Sequence, residues 1–242
     1  MNAEAAGSHV VAPTMPSAVL ERWQHSSSQA SSTTVLPDGC IDLLVQVDGK
    51  GSVRWSMSPL ARQAYGVQSK AGTHWLGYRL HPGVVPQAQA LLALATDIGL
   101  HAGLGRAPQD TLAVLAAIEP AVREAIDQHT NEDPRVRHAL AALAAESSVA
   151  RAARALGVTE RSLERLIGRT GEPPRYWRAL ARVRRAAHAL STPAPLAAVA
   201  ADHGFADQSH FSRECLRWLG HTPTQLRRTP ALLAVLHASG YG

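Results

Sequence analysis

The fold of this chain is decided by a stretch near its C-terminus, His203-Gly204-Phe205-Ala206-Asp207-Gln208-Ser209-His210-Phe211-Ser212-Arg213, followed by Gly220-His221-Thr222-Pro223. Gly204 can adopt the positive φ of a tight turn, and Asp207 is a good N-cap for the residues after it. Before the turn, apolar residues at helical spacing mark a short helix: Leu196, Val199 and Ala200. The stretch therefore predicts a short helix, a tight turn at Gly204 and a second helix from Gln208 to Trp218.

The same arrangement occurs earlier in the chain, around Gly157. Thr159 is a good N-cap for a helix from Glu160 to Gly168, in which Leu163, Leu166 and Ile167 face inward. The two units are joined by a predicted helix from Arg175 to Leu190, which spans about 24 Å at about 1.5 Å per residue. Successive major grooves on one side of B-DNA lie about 34 Å apart. The two units can reach both grooves once their own widths are added to the length of the joining helix.

The formal net charge of +5 is unevenly distributed along the chain. Residues 1–133 contain 8 Lys+Arg against 12 Asp+Glu, whereas residues 134–242 contain 16 against 7. A basic surface made almost entirely of Arg favours a polyphosphate partner, because neutralising phosphates releases condensed counterions. A basic surface that only keeps the protein soluble is the alternative.

The N-terminal half shows the alternating pattern of β-strands. Ile41 to Val47 has apolar residues at period two, and Val53 to Met57 and Trp75 to Leu80 follow the same rule. Pro37-Asp38-Gly39 is a turn signal, and the polar run Ser26 to Thr34 predicts a hairpin loop or an irregular connection. Residues 19–80 are therefore predicted to form a small antiparallel sheet or barrel.

Helical spacing replaces this pattern from Val84 to Ala95 and again from Thr111 to His129. These helices are expected to pack on the sheet or on a partner subunit. The polar run Thr130 to Pro134 coincides with the charge reversal and contains a helix-blocking Pro, which predicts a domain boundary there.

The predicted fold is thus α+β, with a β-rich and then helical domain followed by an all-α domain. Residues 1–130 are a sensor or dimerisation domain, 131–134 a linker and 135–229 a domain with two helix-turn-helix units. Residues 230–242 form a C-terminal tail to which the sequence assigns no role.

Composition restricts the class of protein further. No run of eighteen or more apolar residues is present, which excludes a membrane-spanning helix, and Met1 to Leu20 lacks the features of an export signal. Cys40 and Cys215 are the only thiols and fall in different predicted domains, so no disulfide is expected. The predicted location is the cytoplasm.

The C-terminal half, from about Pro134 to Arg228, resembles the DNA-binding domain of AraC/XylS-type transcription regulators. The strongest part runs from Gly204-Phe205 through Asp207–Arg213 to Gly220, Thr222-Pro223 and Arg227. The first unit matches through Leu163, Arg165, Gly171 and Pro174. The chain departs from the usual pattern at inward positions, where smaller residues imply a repacked core: Ile167, Cys215 and Leu226.

The N-terminal half resembles a domain that precedes the same module in some of these regulators. The resemblance rests on Trp23, on the run Val35 to Leu43, and on Gly77 with His81-Pro82-Gly83. It implies effector binding, dimerisation or both, and does not identify the effector. The partners that follow are double-stranded DNA, a small-molecule effector, a second copy of the chain and RNA polymerase.

In a helix-turn-helix, the second helix enters the major groove and its N-terminal side chains contact base edges. The candidate base-reading residues are therefore Arg161, Glu164 and Arg165 in the first unit, and Gln208, Ser209, His210 and Arg213 in the second. Arg can pair with guanine, Gln with adenine and Glu with the amino group of cytosine. The alternative for each is contact with phosphate alone or with solvent.

The sequence does not fix the roles of two further groups of residues, the arginines near the joining helix and the aromatic residues of the N-terminal half. Arg175, Arg178, Arg182, Arg184 and Arg185 lie on or near the joining helix, where they could bind phosphate, form internal ion pairs or remain solvated. Trp23, Trp55, Trp75 and Tyr78 could line an effector pocket, although core packing is the more common role.

The hypothesis is a sequence-specific transcription regulator that needs no cofactor, metal or catalytic residue. One rival makes the N-terminal half a pure interaction or dimerisation module. A second rival is a DNA-modifying enzyme with Cys40 as nucleophile or methyl acceptor. Cys40, Asp42, His74 and His81 lack the short spacing of common metal sites.

Overall fold

The computed structural model describes residues 18–105, 111–237 and 240–242. The expectation of no export signal falls mainly on residues 1–17, which lie outside the described residues. The strands are β1 Val19–Ser27, β2 Ser31–Val35, β3 Asp42–Val47, β4 Val53–Met57, β5 Tyr65–Ser69, β6 Thr73–Leu80, β7 Val85–Pro86 and β8 Thr130–Asn131. The helices are α1 Ala88–His101, α2 Thr111–His129, α3 Pro134–Ala145, α4 Val149–Ala155, α5 Glu160–Gly168, α6 Pro174–His188, α7 Leu196–Asp202, α8 Gln208–Leu219, α9 Pro223–Arg228 and α10 Pro230–His237.

The N-terminal half contains a four-stranded antiparallel sheet in the order β1-β6-β3-β4, and a separate pair, β2-β5. On β3, Leu43, Val45 and Val47 are buried in a core with side chains of α1 and α2. Their neighbour Leu44 points to the other face, where it lines a cavity. The period-two pattern of this strand thus places one face against the helices and the other towards the cavity.

The prediction that Ser26 to Thr34 is a loop or an irregular connection was wrong. β1 continues to Ser27, and Ser31–Val35 forms β2, which pairs with β5 from Ser31 opposite Ser69 to Val35 opposite Tyr65. Most of β2 is half-exposed or exposed, so polar side chains are tolerated there. The backbone hydrogen bonds to β5 define this strand, and side-chain hydropathy does not reveal them.

The C-terminal half is helical from Pro134 to His237 apart from its connecting turns, as predicted, and it has an apolar core to which Leu36 of the N-terminal half also belongs. Thr159 caps α5 by accepting from the Ser162 N–H at 3.1 Å, and Asp207 caps α8 by accepting from the His210 N–H at 2.6 Å. The turns before these helices contain Gly157 and Gly204, with φ of 67° and 71°. The smaller inward residues Ile167, Cys215 and Leu226 are fully buried. Both units are therefore complete helix-turn-helix motifs.

The joining helix α6 lies at the centre of this half. Nine of its fifteen residues are buried, among them Trp177, Leu180 and Val183. It packs against α3, α4 and α5 of the first unit and against α8 of the second. Because it is enclosed by both units, α6 fixes their separation.

One contact between the two halves is made by the loop between β4 and β5, residues 58–64. The Tyr176 hydroxyl on α6 donates to the Ala61 carbonyl at 2.8 Å, and the Ala64 N–H donates to the Trp218 carbonyl on α8 at 2.8 Å. Arg62 forms an ion pair with buried Glu172 at 2.5 Å.

None of the helices in the described part of the chain is both long and apolar enough to cross a membrane.

Candidate nucleic-acid interface

The first recognition helix, α5, is amphipathic. Leu163 and Ile167 are fully buried, and Arg161 and Arg165 are exposed on the opposite side. The two arginines are four residues apart, so they lie on one face. Neither forms a hydrogen bond or ion pair with any residue that the structure describes, which leaves both guanidinium groups available to a ligand.

Glu164 lies on the flank of α5, away from the centre of this exposed face. It lines an open cleft of about 520 Å³, together with Glu160, Gly168, Gly171 and the N-terminal end of α6. Glu160 and Glu164 are one turn apart, so the acidic side of α5 is separated from its basic side. The structure therefore places Glu164 beside the predicted groove face, although it is exposed.

The second recognition helix, α8, has the same organisation. Phe211, Cys215 and Leu219 are fully buried, while Gln208, Ser209 and Arg213 are exposed. The guanidinium of Arg213 has no hydrogen-bond or ion-pair partner within the described ranges. By contrast, Arg217 is bound bidentately by Glu214 and lies over the Trp218 ring at 4.9 Å.

His210 has a structural role in addition to any contact with DNA. Its Nδ1 accepts a hydrogen bond from the Ala206 N–H at 3.3 Å, and its ring packs edge-on against Phe205 at 5.4 Å. This bond holds the turn against the start of α8, and only Nε2 remains for a partner. His210 is accordingly half-exposed, unlike its neighbours Gln208 and Ser209.

The outward face of α8 also contains Leu216, which is not among the residues predicted from the sequence. Leu216 is 54% exposed, a high value for a large apolar side chain. It lies seven residues after Ser209 and three after Arg213, so helical periodicity alone could have identified it. An apolar side chain at this position can contact the methyl group of thymine.

Several arginines of the joining helix are used inside the protein. Arg178 donates to the Ser147 carbonyl of the first unit. Arg182 donates to the Gly204 carbonyl of the second unit at 3.3 Å, and its guanidinium lies 4.5 Å from the centre of the Phe205 ring. Within the described residues, neither forms the internal ion pair that the sequence left open; both instead bind backbone carbonyls, which ties α6 to each unit.

Cys40 is in an environment that disfavours the thiolate. Its side chain is 3% exposed, and burial, followed by the charge of Asp38, raises the pKa of the thiol far above its ordinary value. The nearby Asp42 carboxylate accepts from the Trp23 indole at 3.0 Å and pairs with Arg79 at 3.2 Å. Within the described residues no group of three His, Cys, Asp or Glu could hold a metal ion.

Comparison with known proteins identifies the C-terminal half. Residues 152–229 match the family described as "Helix-turn-helix domain". No curated protein matches the chain significantly. Among solved structures, an AraC-type transcriptional regulator from Chromobacterium violaceum is 27% identical, with a TM-score of 0.37 over 39% of this chain and 90% of that one.

Two structures of ToxT from Vibrio cholerae cover more of the chain at lower identity. ToxT of strain O395 is 11% identical, with a TM-score of 0.38 over 90% of this chain and 97% of that one. Unsaturated fatty acid-bound ToxT of strain SCE256 is 12% identical, with a TM-score of 0.40 over 89% and 97%. At these low scores, the match to the family is the observation that identifies the domain.

The N-capped helices α5 and α8 have exposed arginines and both pack on helix α6. Together they define a helix-turn-helix DNA-binding domain. Its family match, together with the motif from Gly204 to Arg213, makes residues 152–229 a domain of the type found in AraC transcription regulators.

Proposed function

We propose that this protein is a transcription regulator whose recognition helices α5 and α8 occupy two adjacent major grooves of one DNA site. The observation that supports this most is the matched pair of N-capped helices. Among the described residues, Arg161 and Arg165 on α5 and Arg213 on α8 have no intramolecular partner, and both helices pack against the buried helix α6. Arg161, Arg165, Gln208, Ser209 and Arg213 are the proposed base readers. Glu164 is proposed to contact the edge of its groove, and His210 to contribute through Nε2.

Selection of bound fragments from random DNA tests this proposal. We expect a site with two halves whose centres lie about 10 base pairs apart, one helical turn. An Arg161→Ala, Arg165→Ala double variant should lose base preference in one half only. Affinity should fall by about a factor of three to four per neutralised phosphate when the salt concentration is raised fourfold. A single half-site, or a flat response to salt, would contradict the proposal.

We further propose that the N-terminal half binds a mainly apolar small molecule. A cavity of about 440 Å³ lies between the four-stranded sheet and the β2-β5 pair. Its walls are largely aromatic and aliphatic, and they include Trp23, Trp75, Tyr65, Leu44 and Met57. Volumes of this size and apolar linings with a few polar groups are typical of ligand sites.

The cavity is connected to the DNA-binding half by the β4–β5 loop. Ser58 and Pro59 at its start and Tyr65 directly after it line the cavity. Between them, Ala61 and Ala64 accept and donate the hydrogen bonds to α6 and α8. A ligand that binds one position of this loop better than another would shift the population of DNA-binding states.

Gly77→Ala should abolish ligand binding in this cavity. Gly77 lies opposite Trp23 in the sheet, and a Cβ there would lie 2.2 Å from the Trp23 ring, so the indole must leave its place in the wall. The check is thermal unfolding with a metabolite library, in which a ligand raises the melting temperature of the natural protein. The expected result is loss of that shift in Gly77→Ala.

Gly66→Ala is the matched control, because a Cβ there meets only the Ser32 hydroxyl at 3.8 Å. It should preserve the shift. If no compound shifts the natural protein, the result favours the rival in which this half is an interaction or dimerisation module. A shift that survives in Gly77→Ala would place the ligand elsewhere.

A further inference from the structure

The C-terminal segment is packed into the protein. Leu236 at the end of α10 is fully buried, and its carbonyl accepts from Arg184 at 3.0 Å and from His188 at 2.5 Å, both on α6. Tyr241 is 6% exposed, and its ring packs edge-on against Trp177 at 5.1 Å. Its hydroxyl donates to the Leu140 carbonyl on α3 at 2.7 Å.

The same residues hold a turn of the N-terminal half. The Tyr241 N–H donates to the Asp38 carbonyl at 2.7 Å, and Arg184 donates to the Pro37 carbonyl at 3.0 Å. Gly39 is so close that a Cβ there would lie 2.9 Å from both Trp177 and Tyr241. The turn is thus enclosed by α6 on one side and by Tyr241 on the other.

Arg184 makes this arrangement costly to open. Its side chain is 2% exposed, and the two carbonyls that it binds belong to the turn and to the C-terminal segment. Burial lowers the pKa of its guanidinium, partly offset by the charge of Asp38. A buried cation that loses its hydrogen-bond partners is strongly destabilising, so the turn and the segment stabilise each other through this residue.

We propose that the C-terminal segment, residues 230–237 and 240–242, is a strap that locks the Pro37–Cys40 turn of the N-terminal half onto the joining helix α6. The strap holds the two halves in the arrangement in which the β4–β5 loop reaches α8. Any effect of the strap on DNA binding rests on the proposed function, whereas the attachment of the turn to α6 does not.

Labelling of the two native thiols with a maleimide tests the strap. Cys40 lies directly after the locked turn and is 3% exposed, while Cys215 is fully buried inside α8. Opening of the strap should uncover Cys40 alone. Tyr241→Phe removes one buried hydrogen bond and should raise the Cys40 labelling rate about fivefold. Tyr241→Ala removes the whole ring and should raise it about a hundredfold or more.

Cys215 is the internal control, because its labelling reports unfolding of the second helix-turn-helix unit. Mass spectrometry of the two peptides separates the rates. Val235→Ala, on the 44% exposed face of α10, is the matched variant and should change neither rate. An unchanged Cys40 rate in Tyr241→Ala, or an equal rise at both cysteines, would overturn the strap. If Tyr241→Ala does not fold, the same comparison is made with Tyr241→Phe.

No DNA or effector is needed for this measurement. A strap that opens as expected in a protein without a paired DNA site would overturn the proposed function alone. If the protein binds the paired DNA site but Cys40 is labelled equally slowly in the natural protein and in the Tyr241 variants, the strap alone is overturned.

Discussion

Replacement of Arg213 by alanine is expected to weaken binding to the selected DNA site by about 1–3 kcal/mol, or roughly 5- to 150-fold. Arg213 is exposed on the outward face of α8 and has no intramolecular partner within the described residues. Its fork of donors can therefore pair with a guanine at no cost in broken internal contacts. Titration of the site and of its single-base variants checks the result, since a base reader loses one base preference as well as affinity.

Arg217→Ala is the matched control on the same helix. Arg217 already binds Glu214 and stacks on Trp218, so it is expected to contribute little to sequence preference. Equal weakening of Arg213→Ala on all sequences would reassign Arg213 to phosphate. A larger loss of base preference in Arg217→Ala than in Arg213→Ala would assign the base contact to Arg217 and not to Arg213.

Gly39→Ala is expected to destabilise the full chain by about 2–5 kcal/mol. About 1–2 kcal/mol comes from the φ of 77°, which a side chain disfavours, and about 1–3 from forcing a methyl group against Trp177 and Tyr241. Urea unfolding of the natural protein and the variant measures the difference.

Gly171→Ala separates the two causes. Its φ of 83° is similar, but a Cβ there would meet no atom within 4 Å. It should therefore lose only the backbone part, about 1–2 kcal/mol. Equal losses in the two variants would mean that the contact between the turn and α6 adds nothing to stability.

Local signals in the sequence predicted most of the DNA-binding half. Thr159 and Asp207 cap helices through side chains three residues or fewer from the N–H groups they bind, so the N-cap rule identifies them without tertiary information. The same holds for α6, whose apolar spacing repeats over four turns, and for the alternating strand β3. Buried faces repeat at the period of their own element, which is why these predictions were confirmed.

Contacts between distant parts of the chain were not predictable in this way. Arg184 was one of five arginines whose role the sequence left open, and its partner Pro37 is 147 residues away. β2 is defined by its pairing with β5, and its polar composition predicted a loop. The burial of Tyr241 likewise depends on a pocket built from α3, α6 and the Pro37–Cys40 turn. No periodic pattern records such pairings.

The attachment of Arg178 to one unit and of Arg182 to the other has a consequence for how such a protein can be controlled. Both units are attached to a single enclosed helix, which sets the distance between the recognition helices α5 and α8 in this structure. Under the proposed function, a signal from the N-terminal half would act on both recognition helices together, by changing their joint orientation relative to the DNA or by changing how copies of the chain assemble. Under the same proposal, discrimination among DNA sites comes from the exposed side chains of α5 and α8.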